Sequence, residues 1–389
     1  MKSREWKKYK LEDIAVFFDS LRVPLNSRER ATRKGKYPYY GASGIVDYID
    51  GYIFDGEHVL ISEDGENLRS RQTPIAFKAN GKFWVNNHAH VIKGKEPFLN
   101  DWIVYFFQNL DINPYITGAV QPKLNRENLQ LIEVSLPEFE KAKKIAFTLS
   151  KLDEKIVLNH QTNATLEAIA QSVFREWFVD NQNSKDWEVK TLGSALNVLE
   201  TGSRPKGGVS QIPIGVPSVG AESIVKVGYF DFSKTKYVPL DFFNSMRRGH
   251  VKDRDVLLYK DGGRPGEFIP HVSMFGDGFP FEIYSINEHV YRLKVSAPLT
   301  QSYLYLWLTS DEIMEEMRNR GTGAAIPGIN STALSGINIT IPPKNMLDDF
   351  SYIVEPLFSK IFANSKEIHT LSTLRDSLLP KLMNGEIEV

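Results

Sequence analysis

Residues 145–177 read IAFTLSKLDEKIVLNHQTNATLEAIAQSVFREW, and residues 350–382 read FSYIVEPLFSKIFANSKEIHTLSTLRDSLLPKL. In the first stretch Ile145, Leu149, Leu152, Ile156, Leu166, Ala170, Val173 and Trp177 fall alternately four and three apart, with Asn159 and Asn163 at the two intervening places. In the second, Phe350, Val354, Leu357, Ile361, Asn364, Ile368, Leu371, Arg375, Leu378 and Leu382 keep the same register, each 205 residues after its counterpart. This spacing lines one seam of a helix, the pattern of a coiled coil. No Gly or Pro interrupts residues 138–192. Each seam needs a partner, and the simplest partner for each helix is the other. A globular segment has to be built between them, so antiparallel pairing and a pseudo-two-fold arrangement are expected. Asn159 and Asn364, near the seam middles, either face each other, where a polar residue fixes register at a cost in stability, or meet solvent at a frayed seam.

Working outward, the segments before each helix repeat one another. Trp6 in REWKKYKLEDI resembles Trp187 in KDWEVKTLGSA. His58–Gly65 resembles Asp255–Gly262, and Asn87–Ile92 resembles Asn287–Tyr291, which puts His90 and His289 in matching places. Gly118–Leu124 resembles Gly323–Ile329, and Val134–Pro137 resembles Ile339–Pro342. The matches keep their order, so the chain reads as an internal duplication. Short alternating runs at His58–Ser62, Phe83–Asn86, Leu131–Leu136, Asp255–Tyr259 and Gly336–Ile341 predict strands, with helices at Phe98–Leu110 and Leu299–Asn319. The fold class is therefore α+β. Two tandem, mostly β domains (1–137 and 181–342) are separated by helical spacers (138–180 and 343–389) that form the antiparallel coiled coil.

Composition narrows the function. With no Cys in 389 residues, disulfide scaffolds, thiolate nucleophiles and Cys-based zinc sites are excluded. No second ligand recurs near the histidines at a metal-binding spacing, so no metal site is expected. The first 18 residues lack a signal-peptide core and no stretch approaches a membrane span, which points to the cytoplasm. A methyltransferase would need Asn/Asp-Pro-Pro-Tyr/Phe, and Asn113-Pro114-Tyr115 lacks the second Pro. No Gly-x-x-x-x-Gly-Lys-Ser/Thr loop for a motor is present. Glu188-Val189-Lys190 matches only the tail of a nuclease motif, and such triplets are common. No catalytic residues are assigned.

Net charge is −1, so any nucleic-acid footprint must come from local clusters. Such clusters exist. Arg22, Arg28, Arg30, Arg33, Lys34 and Lys36 face a single acid, Glu29, between residues 21 and 36, and Tyr39 follows in Tyr37–Gly41. Arg69, Arg71 and Gln72 form a second group, and Lys123 closes the Gly118 segment. In the second half Ser203, Arg204 and Lys206 start a Gly-rich loop, and Arg247 and Arg248 lead a basic run. Lys260 and Arg264 flank Gly262-Gly263, and Arg320 precedes Gly321. Lys and Arg neutralise phosphate, Arg and Gln read guanine and adenine edges, and Gly lets a backbone approach a duplex. Two β-rich domains on a coiled coil that bind protein or carbohydrate through Tyr37, Tyr39, Tyr40, Phe242 and Phe243 are the alternative. On the DNA reading the first seam, from Ile145 to Trp177, is ~50 Å of helix against ~34 Å for one DNA turn. It would act as a ruler between two read sequences.

The duplicated plan resembles the specificity subunit of type I restriction–modification systems. The likeness is carried by Trp6 with Leu11 and Trp187 with Leu192, by the turns after Asp64 and Asp261, and by the Gly118–Leu124 and Gly323–Ile329 segments. Leu136-Pro137, Ile341-Pro342 and the closing segment Leu374–Gly385 complete it. The resemblance implies two target-recognition domains reading the halves of a bipartite, asymmetric double-stranded DNA sequence. It also implies helical spacers that dock two modification (methyltransferase) subunits, which a restriction/translocase subunit joins. S-adenosylmethionine and ATP/Mg would then belong to those partners and no cofactor to this chain. The family usually places Glu-Gln after the Leu-Pro pair, whereas this chain has Glu138-Phe139-Glu140 and Pro343-Lys344-Asn345.

Overall fold

The computed structural model describes residues 6–118, 120–209, 212–323 and 325–388. Ala119 and Ala324, inside the two matched Gly segments, lie outside the described residues. The chain divides into two compact units, Met1–Glu154 with Leu371–Val389, and Lys155–Thr370. Each unit thus includes a stretch of both long helices.

The first unit carries strands β1 (Lys7–Lys10), β2 (Ala15–Phe17), β3 (Lys34–Gly41), β4 (Gly44–Ile49), β5 (His58–Ser62), β6 (Ala76–Ala79), β7 (Trp84–Val85), β8 (Ala89–Gly94) and β9 (Glu133–Leu136). They form sheets ordered β2-β8-β5-β6, β4-β3-β7 and β1-β9. The helix Pro97–Asn109 starts with Pro at its first position, where a missing N–H costs nothing. It lays the buried Trp102, Ile103 and Phe107 into one core with Val59, Ile61 and Ile92.

The second unit carries β10 (Glu188–Thr191), β11 (Leu196–Thr201), β12 (Val216–Val219), β13 (Lys236–Val238), β14 (Val256–Tyr259), β15 (Gly263–Arg264), β16 (Glu267–Phe268), β17 (Val272–Met274), β18 (Ser285–Ile286), β19 (Val290–Val295) and β20 (Asn338–Ile341). Its sheets run β11-β19-β14-β17, β13-β12-β18 and β10-β20, with β15-β16 as an added hairpin. Strand for strand this repeats the first unit, including one parallel pair in each (β3 with β7, β12 with β18). The repeated Leu has one job in both: Leu11 and Leu192 are fully buried, and their N–H groups donate to Ile132 and Ile337 at 2.9 and 2.7 Å.

The single helix expected over Leu299–Asn319 is two, Gln301–Leu308 and Asp311–Arg320. The Thr309 and Ser310 hydroxyls donate back to Tyr305 and Trp307 carbonyls, and Ser310 takes extended dihedrals as the second helix begins. Such side-chain bonds compete with the helical ladder and end it there.

The two long helices span Phe139–Phe174, extended by a π-helical turn over Arg175–Val179, and Lys344–Met383. In the first unit the Arg375 guanidinium donates to Asp153 at 2.7 Å, and Lys141 Nζ donates to Glu388, just past the second helix, at 2.6 Å. In the second, Trp177 packs on Phe350, and Asn163 meets Asn364. Within each unit rising numbers on one helix meet falling numbers on the other, so the pairing is antiparallel. The seam residues Ile156, Asn159, Ile361 and Asn364 are buried, while Leu152, Leu166, Leu357 and Leu371 are partly buried. One expectation needs correction. Asn364 Nδ2 donates to Asn163 Oδ1 at 2.9 Å, and Asn159 Nδ2 donates to Glu367 at 2.9 Å. The register is centred slightly beyond the place that would set Asn159 against Asn364. The heptad pattern also gave no hint of Phe358 and Phe362, a second buried row that packs into the core of the second unit.

Candidate nucleic-acid interface

In the second unit the loop after β11 and the loop before β14 touch. A Cβ on Gly249 would lie 2.6 Å from Gly202 Cα. Both loops are pinned to the β18–β19 connection, by Gly202 N–H to Asn287 O at 3.1 Å and Ile286 N–H to Gly249 O at 2.9 Å. Lys260 at the end of β14 joins them, its N–H on His289 O at 3.0 Å and its Nζ donating to Glu288 O at 3.2 Å. This geometry gathers Ser203, Arg204, Lys206, Arg247, Arg248 and Lys260 on one rim, with Arg264 on the adjoining β15–β16 hairpin. Lys206, Arg247, Arg248 and Arg264 are exposed and have no side-chain partner among the described residues. They are uncompensated positive charges. Arg320 is not part of this group: it holds Glu316 and the Ala333 carbonyl, bracing one helix on the next.

The corresponding rim of the first unit is built alike but charged differently. Glu63 N–H donates to His88 O at 2.9 Å, and Leu124 N–H to Glu63 O at 2.8 Å. The matched Gly118 and Gly323 have φ of 85° and 113°, and a Cβ there would meet the Gln121 and Ile326 carbonyl oxygens at 2.1 and 2.6 Å, so only Gly fits either turn. Lys123 reaches Glu63 at 3.3 Å and stays half exposed. Arg69 donates to Gly118 O at 3.0 Å. Arg28 and Gln72 are exposed without a side-chain partner among the described residues.

Several expected contacts prove to be internal. Tyr39 is fully buried, and its hydroxyl pairs with the Leu25 backbone, so it cannot meet DNA. Arg22 turns inward, donating to Glu63 and the Ala89 carbonyl, both at 2.7 Å. Arg30 and Lys34 share Asp47, and Arg33 pairs with Asp50 over the Trp84 ring. The Asp47 carboxyl is held below the usual range, first by the Lys34 hydrogen bond. Arg71 caps the helix Pro97–Asn109, donating to the Phe107 carbonyl at 3.0 Å and to that of Leu110.

Two pairs escaped the sequence reading. His88 Nδ1 lies 2.9 Å from Asp64, and His289 Nδ1 lies 2.9 Å from Asp261. Asn86 and Asn287 accept from the two His N–H groups at 2.8 and 2.9 Å, the same turn twice. His289 therefore matches His88 and not His90. His90 is buried with Nδ1 2.7 Å from Asp19 and Nε2 2.8 Å from the Leu124 carbonyl. Burial works against ionised Asp19, but its bonds from His90 and the Val91 N–H, with the Arg22 charge, hold its carboxyl below the usual range. The available signal was the repeated Asn-x-His spacing beside the repeated Asp-Gly.

Arg204 caps the second pair. Its Nε donates to Glu288 at 2.5 Å and its Nη2 sits 3.1 Å from His289 Nε2. Burial opposes ionisation of Glu288, yet the hydrogen bond and charge of Arg204 hold its carboxyl below the usual range.

Comparison with known proteins agrees with the internal repeat. The sequence model of the type I restriction modification DNA specificity domain matches residues 3–168 and again 184–367. A type I restriction enzyme specificity subunit of Methanocaldococcus jannaschii is 26% identical over 392 residues, covering 91% of this chain and 88% of that protein. A Haemophilus influenzae protein described in the same terms is 39% identical over 133 residues, 34% of this chain and 33% of its own. The crystal structure of a type I restriction–modification S subunit from M. genitalium shares the fold, with a TM-score of 0.62, 14% identity, and coverage of 98% of this chain and 97% of that one.

Proposed function

The chain belongs to the type I restriction–modification DNA specificity family, and from that premise we propose that its two units each read one half of a split, asymmetric DNA sequence. One observation carries this reading: the same scaffold occurs twice, with the same Asp–His pair at the same turn, under loops whose free charges differ. A shared scaffold supplies the same approach to a duplex, and different loops supply different base contacts. The long helices would set the gap between the halves.

We propose that the helices also dock two copies of a methyltransferase subunit, which a restriction/translocase subunit joins. Exposed apolar side chains support this. Phe147 and Tyr352, 60% and 86% exposed, stand 205 residues apart on the two helices, as do Ile169 and Leu374, and scattered solvent-facing apolar groups do not ordinarily repeat in this way. S-adenosylmethionine and ATP with Mg would be bound by those partners, and the assembly would work in the cytoplasm. No helix of the described residues is long and apolar enough to cross a membrane.

The test is to express the chain with its methyltransferase in a host of known genome and map the modified bases. Two unlike half-sites at one fixed gap are expected. A single uninterrupted site, a palindrome, or modification without sequence preference would overturn the reading.

A further inference from the structure

We propose that Arg204 is a base-reading residue, selecting guanine in the half-site met by the second unit. This rests on the DNA reading above and names a contact within it.

The chemistry follows from the partners. Arg204 Nη2, which can only donate, lies 3.1 Å from His289 Nε2, and the other ring nitrogen, Nδ1, lies 2.9 Å from Asp261 Oδ2. Asp261, His289 and Glu288 thus form a bracket that fixes the plane of the Arg204 guanidinium before any ligand arrives. The entropy of ordering a long side chain is spent in folding and not at binding. Nε and Nη2 are engaged by the bracket, and the two N–H groups of Nη1 have no partner among the described residues. The side chain remains 38% exposed on the rim between the free cations.

Charge decides what those N–H groups meet. A phosphate contact is chiefly a charge contact. Arg204 is largely neutralised by Glu288, with the Asp261 carboxylate behind His289, so it offers a phosphate little. The neighbours Lys206, Arg247, Arg248 and Arg264 carry no such compensation and are the phosphate ligands of this rim. What Arg204 offers is direction: fixed donors matched to uncharged acceptors, and guanine O6 and N7 are the acceptor pair that arginine reads in the major groove. In the first unit the arginine of the equivalent loop, Arg22, is turned into Glu63 and Asp19. The two halves therefore present different groups at the same point of the scaffold.

The test uses the full chain, alone and with its methyltransferase, on duplexes randomised across both half-sites. The wild-type chain is expected to require guanine at one position of one half-site. Arg204→Ala is expected to relax that position alone, by about tenfold or more, with the salt dependence of binding unchanged. Glu288→Gln keeps the arginine but removes its bracket. It is expected to weaken the same guanine preference while steepening the salt dependence, because a charge has been freed. Uniform weakening on every sequence together with a shallower salt slope for Arg204→Ala would make it a phosphate ligand and overturn the proposal. Unchanged selection by both variants would do so too. If the wild-type chain itself selects no sequence, the DNA reading fails first.

Discussion

The two units are nearly the same frame with a different balance of paired and free positive charge. In the first, Arg22, Arg30, Arg33 and Lys34 are all taken up by Glu63, Asp47 and Asp50. In the second, Arg247, Arg248, Lys206 and Arg264 stand free among the described residues. A basic run in sequence thus becomes either a scaffold or a charged face, and acids supplied from distant strands decide which. The difference continues beneath the surface. Leu60 on β5 faces Val91 on β8, an apolar pair, whereas the equivalent Leu257 on β14 faces Arg292 on β19. Arg292 is held there by the fully buried Asp255 and by Glu200 at 2.8 Å.

That buried pair gives the largest expected effect. Arg292→Val copies the first unit's Val91 but strands the Asp255 carboxylate without its cation, which costs about 3–5 kcal/mol. Arg292→Val combined with Asp255→Leu removes the two most buried charges, leaves Glu200 with the Gly249 N–H, and should recover part of the loss. Hydrogen exchange in the full chain locates the damage: protection should fall on β14 and β19 and persist on β5 and β8. If the single variant is as stable as the parent, the two cores are not built on different principles.

The free charges come next. Arg247→Ala with Arg248→Ala removes two uncompensated cations, so the slope of log affinity against log salt should become shallower by about 2. Phosphate ethylation interference should lose its marks on one half-site only. Equal loss on both halves would mean that the units do not divide the duplex between them.

How much of this was legible beforehand follows from the range of the interactions. Heptad spacing is local, so the seams from Ile145 to Trp177 and Phe350 to Leu382 were readable, and so were strands such as His58–Ser62, whose pattern is alternation and turn residues. The loop cations were readable as charges but not as contacts. Asp47 lies 17 residues from Arg30, and Glu63 lies 41 from Arg22. Only the fold brings such acids close enough to cancel a cation. Tyr39 follows the same rule: whether an aromatic between Pro38 and Tyr40 faces solvent is settled by the strand pairing of β3 with β4 and β7. The Asn159–Asn364 expectation failed on register, which packing of Phe350, Phe358 and Phe362 fixes together with the seam. Matching by residue order sets His289 two positions off, against His90, and the hydrogen bonds of His88 and His289 to Asp64 and Asp261 define the match.

The smallest expected effect is also the sharpest check on the contrast between the units. Arg30→Ala, Arg33→Ala and Lys34→Ala together delete three of the most conspicuous basic residues of the first unit. If sequence charge were surface charge, this triple change would cut DNA affinity and salt dependence at least as strongly as the Arg247/Arg248 pair. The structure predicts otherwise, because each of the three already faces a carboxylate: Asp47 at 3.3 and 2.6 Å and Asp50 at 2.9 Å. Two carboxylates set against three cations cancel most of their field at a phosphate, and exposed ion pairs contribute little to stability. The salt slope is therefore expected to stay unaltered, with a modest, sequence-independent loss of affinity because the change bares the Asp47 and Asp50 carboxylates, alongside a small fall in Tm as the Arg30 bond to the Leu25 carbonyl is lost. A titration at three salt concentrations decides it. A slope shallower by two or three units would show that these cations leave their acids for the duplex, and the distinction between a scaffold arginine and a contact arginine would have to be drawn in the complex.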